Sequence, residues 1–232
     1  MKIKEHIISL LTRIRDSRLL WDVMGSVYNR RIYAAIAGLY DYVESELQCP
    51  AGASLLDAGS GRGYIALQLA RKNPDAKLTG IDYSPMQVRE AQKLRRQRNI
   101  PNCSFEQGNV MNIRFADHTF DAAVSIGSIK HWPDAVRGLG EIRRALKPGG
   151  TVIISETDQG ASEEDIRRFI NRFKVWFVPD HLLLWGLQNV IFGRSFTQES
   201  LAEAVGKAGF QHIECPRVPA VPYVIVKARK QM

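Results

Sequence analysis

Asp57-x-Gly59-x-Gly61-x-Gly63, entered from the apolar pair Leu55 and Leu56, sets a carboxylate just ahead of three alternating glycines. Glycine lets a backbone turn tightly and lets a ligand approach bare N–H groups, so the segment reads as a cofactor cradle. About twenty residues further on, Ala76–Asp82 reads as a second apolar run ending in an acid, at the distance where nucleotide folds hydrogen-bond a ribose. The null for Asp82 is a surface turn acid. Asn109 and Val110 follow Ser104-Phe-Glu-Gln-Gly108, which looks like a third strand and its loop. His131 stands in Ser128-Ile-Lys-His-Trp-Pro-Asp134, and an imidazole, whose unperturbed pKa lies near neutrality, can take a proton from a hydroxyl or an acidic carbon. The alternative is a histidine that packs, or caps a helix expected to open at Pro133.

These residues need elements to hold them. Leu55 and Leu56 read as the end of a buried parallel strand, with a helix starting at about Tyr64. Ser84-Pro85-Met86-Gln87 opens a second helix, with Ser84 at the N-cap, Pro85 at the first helical position and Gln87 completing a capping box. Phe120–Ile126 is a fourth strand. Glu141–Gly150 and Thr151–Glu156 match, through the resemblance drawn below, a helix with its Lys-Pro-Gly-Gly turn and a fifth strand. Thr197 caps a helix that runs to Ala208 and stops at Gly209; Phe210–Cys215 and Tyr223–Arg229 are the last two strands, joined through Pro216, Pro219 and Pro222.

The glycine spacing discriminates between cofactors. A dinucleotide site needs a third small residue so that helix and strand pack closely, and counting from Gly59 that place is Tyr64. No Gly-Lys-Ser/Thr phosphate loop occurs. With the acid at Asp82, the Lys-Pro-Gly-Gly segment and their order, the chain resembles the class I S-adenosylmethionine-dependent methyltransferases over about residues 28–160. It looks most like the small-molecule branch that includes ubiquinone and menaquinone methyltransferases. That resemblance implies an α/β fold: a doubly wound, mostly parallel seven-stranded sheet in the order 3-2-1-4-5-7-6, strand 7 antiparallel, helices on both faces. It implies S-adenosyl-L-methionine as cofactor, the methionine portion held around Asp57, Gly59, Gly61 and Gly63, the ribose by Asp82, and the adenine by Tyr83, Asn109 and Val110. Family members usually carry Asp in place of Asn109; an Asn oxygen can still accept from the adenine amino group. Arg62 is placed to approach the methionine carboxylate, its alternative being an exposed loop arginine.

Resemblance fixes the cofactor better than the acceptor, because function lives in the site. The expected activity is methyl transfer to an O, C or N atom of a small, partly apolar molecule. Two alternatives stand beside it: a cofactor-binding partner protein without transfer activity, and an RNA methyltransferase. The Asn/Asp-Pro-Pro-aromatic motif of many base and amide N-methyltransferases is missing, with Ser125-Ile-Gly-Ser128 in that region. The net charge of +8 invites a nucleic-acid partner, but the basic runs are mixed with acids and apolar positions, as on solvated helix faces. His131 and Tyr28 are the candidates for catalysis, with His181 weaker; the null for Tyr28, as for Tyr33, is a packing tyrosine.

At 232 residues and 45% apolar, one α/β domain with a sizeable core is expected. Residues 1–48 read as an N-terminal helical cap, with Ile3, Ile7, Leu10, Leu11 and Ile14 at helical spacing and a second helical pattern from Tyr28 to Leu47. Residues 49–232 read as the methyltransferase domain, with an apolar helical insertion at about 161–196. Phe169, Phe173, Trp176, Phe177, Trp185, Phe192 and Phe196 crowd that insertion. It reads equally as an acceptor lid or as a subunit surface, so a homodimer is one expectation. No signal peptide or transmembrane segment is read, and Cys49, Cys103 and Cys215 show no metal spacing, so a cytoplasmic, metal-free protein is expected.

Overall fold

The computed structural model describes residues 5, 9–11, 33, 35–47, 50–173, 179–192, 195–219 and 221–232. Its strands are β1 (Ser54–Ala58), β2 (Lys77–Asp82), β3 (Cys103–Gln107), β4 (Phe120–Ile126), β5 (Leu146–Thr157), β6 (Gln211–Glu214) and β7 (Tyr223–Arg229). They form one sheet in the order β3-β2-β1-β4-β5-β7-β6. Pairing is parallel from β3 to β5 and antiparallel between β5 and β7 and between β7 and β6. This is the order and the antiparallel seventh strand expected above.

The helices, numbered among the described residues, are α1 (Ala37–Glu46), α2 (Tyr64–Lys72), α3 (Pro85–Gln97), α4 (Ala135–Ala145), α5 (Glu163–Phe173), α6 (Asp180–Gly186) and α7 (Gln198–Lys207); a π-helix spans Leu187–Phe192. Alternation along the strands sorts the core into two layers. On one face Leu55, Leu78, Val124, Ile153 and Ile225 pack with Val43 of α1, Leu67 of α2, Ala91 of α3 and Phe169 of α5. On the other, Leu56, Ile81, Ala123, Ile154 and Val226 pack with Ile142 of α4 and Val205 of α7.

Helix starts follow their caps. Ser84 Oγ accepts from Gln87 N at α3, and Thr197 and Ser200 make a reciprocal capping box at α7. Two local expectations need correction. The Lys147–Gly150 turn lies inside β5: Leu146 pairs with Phe120 and Thr151 with Ala122, so the intervening residues bulge from the strand without ending it. The helix expected from Pro133 opens instead at Ala135, because Asp134 is extended and its carboxylate accepts from Arg137 N at 2.9 Å. The amphipathic pattern of residues 1–20 and the start of the Tyr28–Leu47 pattern lie mostly outside the described residues; the latter is helical over Ala37–Glu46. No described helix is long and apolar enough to cross a membrane.

Candidate active site

A cavity of about 580 Å³ opens at the carboxyl ends of β1, β2 and β4. This is where an open α/β sheet reverses its winding and leaves a crevice. Asp57, Gly59, Gly61, Asp82, Tyr83, Asn109, Val110 and His131 all line it, together with Tyr33 and Arg62. Tyr28 lies outside the described residues. His181 is exposed and takes no part in the lining.

The glycine turn is pinned to β2. Gly59 N and Ser60 N both donate to Ile81 O at 2.9 Å, and Gly61 N donates to Asp82 Oδ2 at 2.8 Å. Asp82 Oδ1 accepts from Ser84 N at 2.9 Å, so each oxygen of this carboxylate is oriented by a backbone N–H. Gly59 and Gly63 are required for different reasons. Both have positive φ, at 78° and 75°. A Cβ on Gly59 would lie 1.9 Å from Ser128 Oγ, whereas on Gly63 it would lie 2.2 Å from the Phe105 ring. Gly63 is absent from the cavity lining and instead N-caps α2 against β3, while a Cβ on Gly61 would meet open space.

Asp57 is 3% exposed. Burial, reinforced by the neighbouring Asp82 charge, pushes its carboxyl up to about 8 against a pull downward from the Ala66 N–H. Asp57 Oδ2 and Ser60 Oγ are buried and find no hydrogen-bond partner among the described residues. A pair of buried, unpartnered oxygens in a cavity wall suits a polar ligand that supplies both donors and acceptors, as the amino-acid end of S-adenosylmethionine does. The residues present therefore fit this cofactor.

Around them, Asn109 Oδ1 already accepts from Met111 N at 2.9 Å, so its loop is self-braced and one lone pair remains for an adenine. Tyr83 is 59% exposed and Val110 is buried. Arg62 is not the exposed loop arginine of the alternative reading: its side chain is 17% exposed, and its guanidinium meets Glu90 at 2.7 Å. Tyr33 stacks on Tyr64, ring centroids 4.5 Å apart, and donates to Gln68 Oε1 at 3.3 Å.

The same cavity is lined by His131, Trp132, Thr157, Phe169, Ile191 and Tyr223, with Lys130 among them. Trp132 Nε1 donates to Ser128 Oγ at 3.0 Å, fixing the indole over the β4 exit. Sequence reasoning passed over Ser60, Lys130, Thr157 and Tyr223. Thr157 ends β5, and Tyr223 begins the antiparallel β7 directly opposite it, so both reach the same edge; that signal was available once strand 7 was read as antiparallel. Phe169 and Ile191 come from the aromatic insertion and had no positional signal.

This fold and cavity define a class I, Rossmann-like methyltransferase built around S-adenosylmethionine. A family model described as a methyltransferase domain matches residues 50–184, and the chain belongs to that family. The chain is 34% identical over 137 residues to O-methyltransferase resE of Aspergillus sclerotiorum, covering 57% of this chain and 52% of that one. It is 35% identical over 102 residues to a demethylmenaquinone methyltransferase of Chlorobaculum parvum, covering 44% and 40%. The chain thus spans about half or less of the length of these curated relatives. A solved S-adenosyl-L-methionine-dependent methyltransferase from Methanococcus maripaludis shares the fold, with a TM-score of 0.69 at 19% identity over 94% of each chain.

Proposed function

We propose that this protein transfers a methyl group from S-adenosylmethionine to a small, partly apolar acceptor seated against Trp132, Phe169, Ile191 and Tyr223. The observation that carries the reading is that one cavity is lined both by a polar set, Asp57, Ser60, Gly61 and Asp82, and by an aromatic and apolar set, Trp132, Phe169, Ile191 and Tyr223, with His131; the second set is read as the acceptor end. S-adenosylmethionine, when bound, supplies an electrophilic methyl group on a sulfonium.

The chain's own residues do the positioning. Asp57, Gly59 and Gly61 hold the amino-acid portion, Gly63 keeps the turn in shape, Asp82 takes the ribose hydroxyls, and Tyr83, Asn109 and Val110 bracket the adenine. The insertion of about residues 161–196 contributes Phe169 and Ile191 as a lid that keeps water from the acceptor. His131 takes the proton that a hydroxyl acceptor gives up. Holding acceptor and donor in line supplies much of the rate in a displacement of this kind.

Two measurements test this. Calorimetry with S-adenosylmethionine should give saturable heat, weakened about tenfold or more in Asp82→Ala because that change removes a carboxylate acceptor and unpins the glycine turn. Mass spectrometry of single turnovers with a panel of phenols, quinols and amines should then find a product heavier by one methyl group. Cofactor binding with no transfer to any member would overturn the reading in favour of a cofactor-binding partner protein. Tight RNA binding that weakens steeply with salt, together with transfer to RNA, would replace it with RNA modification.

A further inference from the structure

Lys130 sits at the aromatic end of the cavity with its side chain only 7% exposed, paired to Glu156, which is completely buried. Lys130 Nζ donates to Glu156 Oε1 at 2.6 Å and to Thr157 Oγ1 at 3.3 Å. Thr157 N also donates to Glu156 Oε1 at 2.7 Å, and Lys130 N to Glu156 Oε2 at 3.3 Å. Burial alone would push the Glu156 carboxyl up, but Lys130 and His131 and these hydrogen bonds hold it below the usual carboxylate range. The 2.6 Å contact of this pair is that of a charge-assisted hydrogen bond. Burying such a pair costs desolvation energy, and apolar replacements of similar volume are often no less stable, so stability alone is a weak reason to keep it.

The arrangement is also directional. Lys130 and Thr157 line the cavity, and Glu156 does not. A ligand in the aromatic end meets the ammonium and a hydroxyl, with the carboxylate behind them. An ammonium has three donors, and two are used here, which leaves the third for what occupies the cavity. Tyr223 lies directly opposite Thr157 in the sheet and meets Phe169 edge to face, so an aromatic wall adjoins the Lys130–Thr157 contact; Trp132 and Ile191 line the same cavity.

We infer that Lys130 binds the acceptor through an acidic hydroxyl, phenolic or enolic, and holds that oxygen as its anion beside the aromatic wall. The inference deepens the function proposed above and rests on it, because it needs the aromatic end to be the acceptor site. The hydroxyl proton passes to His131 or to solvent. The oxygen lone pair then forms the new bond to the methyl carbon, and the electron pair of the broken sulfur–carbon bond stays on sulfur. Lys130 gains nothing in this step and loses nothing; it stabilises the charge on oxygen before attack. Glu156 keeps the ammonium oriented, and among the described residues the charged or titratable groups acting on Glu156 are Lys130 and His131 of the adjoining turn.

The test uses 4-nitrophenol, whose anion absorbs in the visible, and 4-nitroanisole, the same shape with no ionisable proton, each added to the protein saturated with S-adenosylhomocysteine. With wild type, bound nitrophenol should be ionised at a pH where the free dye is not, and should bind about tenfold or more tightly than nitroanisole. Equal affinity for the two, or no excess of the anion on binding, overturns the inference. The variant Lys130→Met combined with Glu156→Gln removes both charges and so leaves no unpaired buried ion. It should still bind S-adenosylhomocysteine by calorimetry but lose the anion signal. If this double variant keeps the signal, Lys130 serves only to neutralise Glu156. If it does not fold, Lys130→Arg keeps the charge and should keep the anion signal. Failure of wild type to bind S-adenosylhomocysteine would instead sink the function itself, so the two failures are distinguishable.

Discussion

Asp57 is the residue whose chemistry depends most on its surroundings. In the sequence it is an acid ahead of a glycine turn; in the fold, burial first and the Asp82 charge second push its carboxyl from 3.8 up to about 8. The folded protein thus holds a proton that the unfolded chain has released across that interval, so stability is lost as pH rises from the unfolded towards the folded value. In Asp57→Asn, which keeps the shape without the charge, this decline should disappear, as urea unfolding across the same pH range would reveal. A ligand ammonium beside Asp57 favours the ionised carboxylate, so cofactor binding at neutral pH should release protons. Calorimetry in buffers of different ionisation enthalpy reads this directly, and a binding heat independent of buffer would contradict the assignment of Asp57 to the amino end.

At the scale of elements, the turn from β1 to α2 combines a ligand cradle with a structural joint. Gly61 faces open space, whereas Gly63 sets α2 against Phe105 of β3. Gly63→Ala forces an alanine into a left-handed conformation and into that ring, so it should destabilise by about 2–4 kcal/mol. Phe105→Ala in the same chain removes the clash, so the two losses should fall short of additive by about 1 kcal/mol or more in a double-mutant cycle followed by urea. Much at this scale was legible in the sequence. Ser84 and Thr197 have side chains that satisfy the N–H groups of a helix start, and each caps as read. The start of α4 was misread because proline suits a first helical turn, yet an extended Asp134 supplies the cap and shifts the boundary. The β5 bulge was hidden because Pro148, Gly149 and Gly150 signal a turn whether or not pairing resumes beyond them.

Across the whole molecule, the sheet and the insertion meet in one cavity wall, to which the insertion contributes Phe169 and Ile191. Phe169 belongs both to the core and to the cavity wall, meeting Phe192 and Tyr223 edge to face with ring centroids 6.1 and 6.3 Å away. Phe169→Ala should lower stability by about 3–5 kcal/mol. Steady-state kinetics should show the acceptor KM rising while cofactor affinity, measured by calorimetry, stays unchanged. A change confined to cofactor affinity would place Phe169 in the other half of the site. The excess of positive charge carries no comparable argument, because many of the described basic side chains are already paired, as Arg144 is with Glu141 and Asp117 and Lys147 with Asp121.

The sequence alone determined the strands, the glycine turn and the acid at the end of β2, because each depends on local spacing: alternation that buries a strand, a bend that glycine allows, and a cap within one helical turn. The strand order came only with the family resemblance that those motifs carry. The tertiary structure decided which side chains share a wall. It set Lys130 in front of a buried Glu156, left Asp57 Oδ2 and Ser60 Oγ buried with no hydrogen-bond partner among the described residues, and packed Gly63 against the Phe105 ring. Those outcomes depend on desolvation and on contacts between residues far apart in the chain, neither of which is carried by spacing.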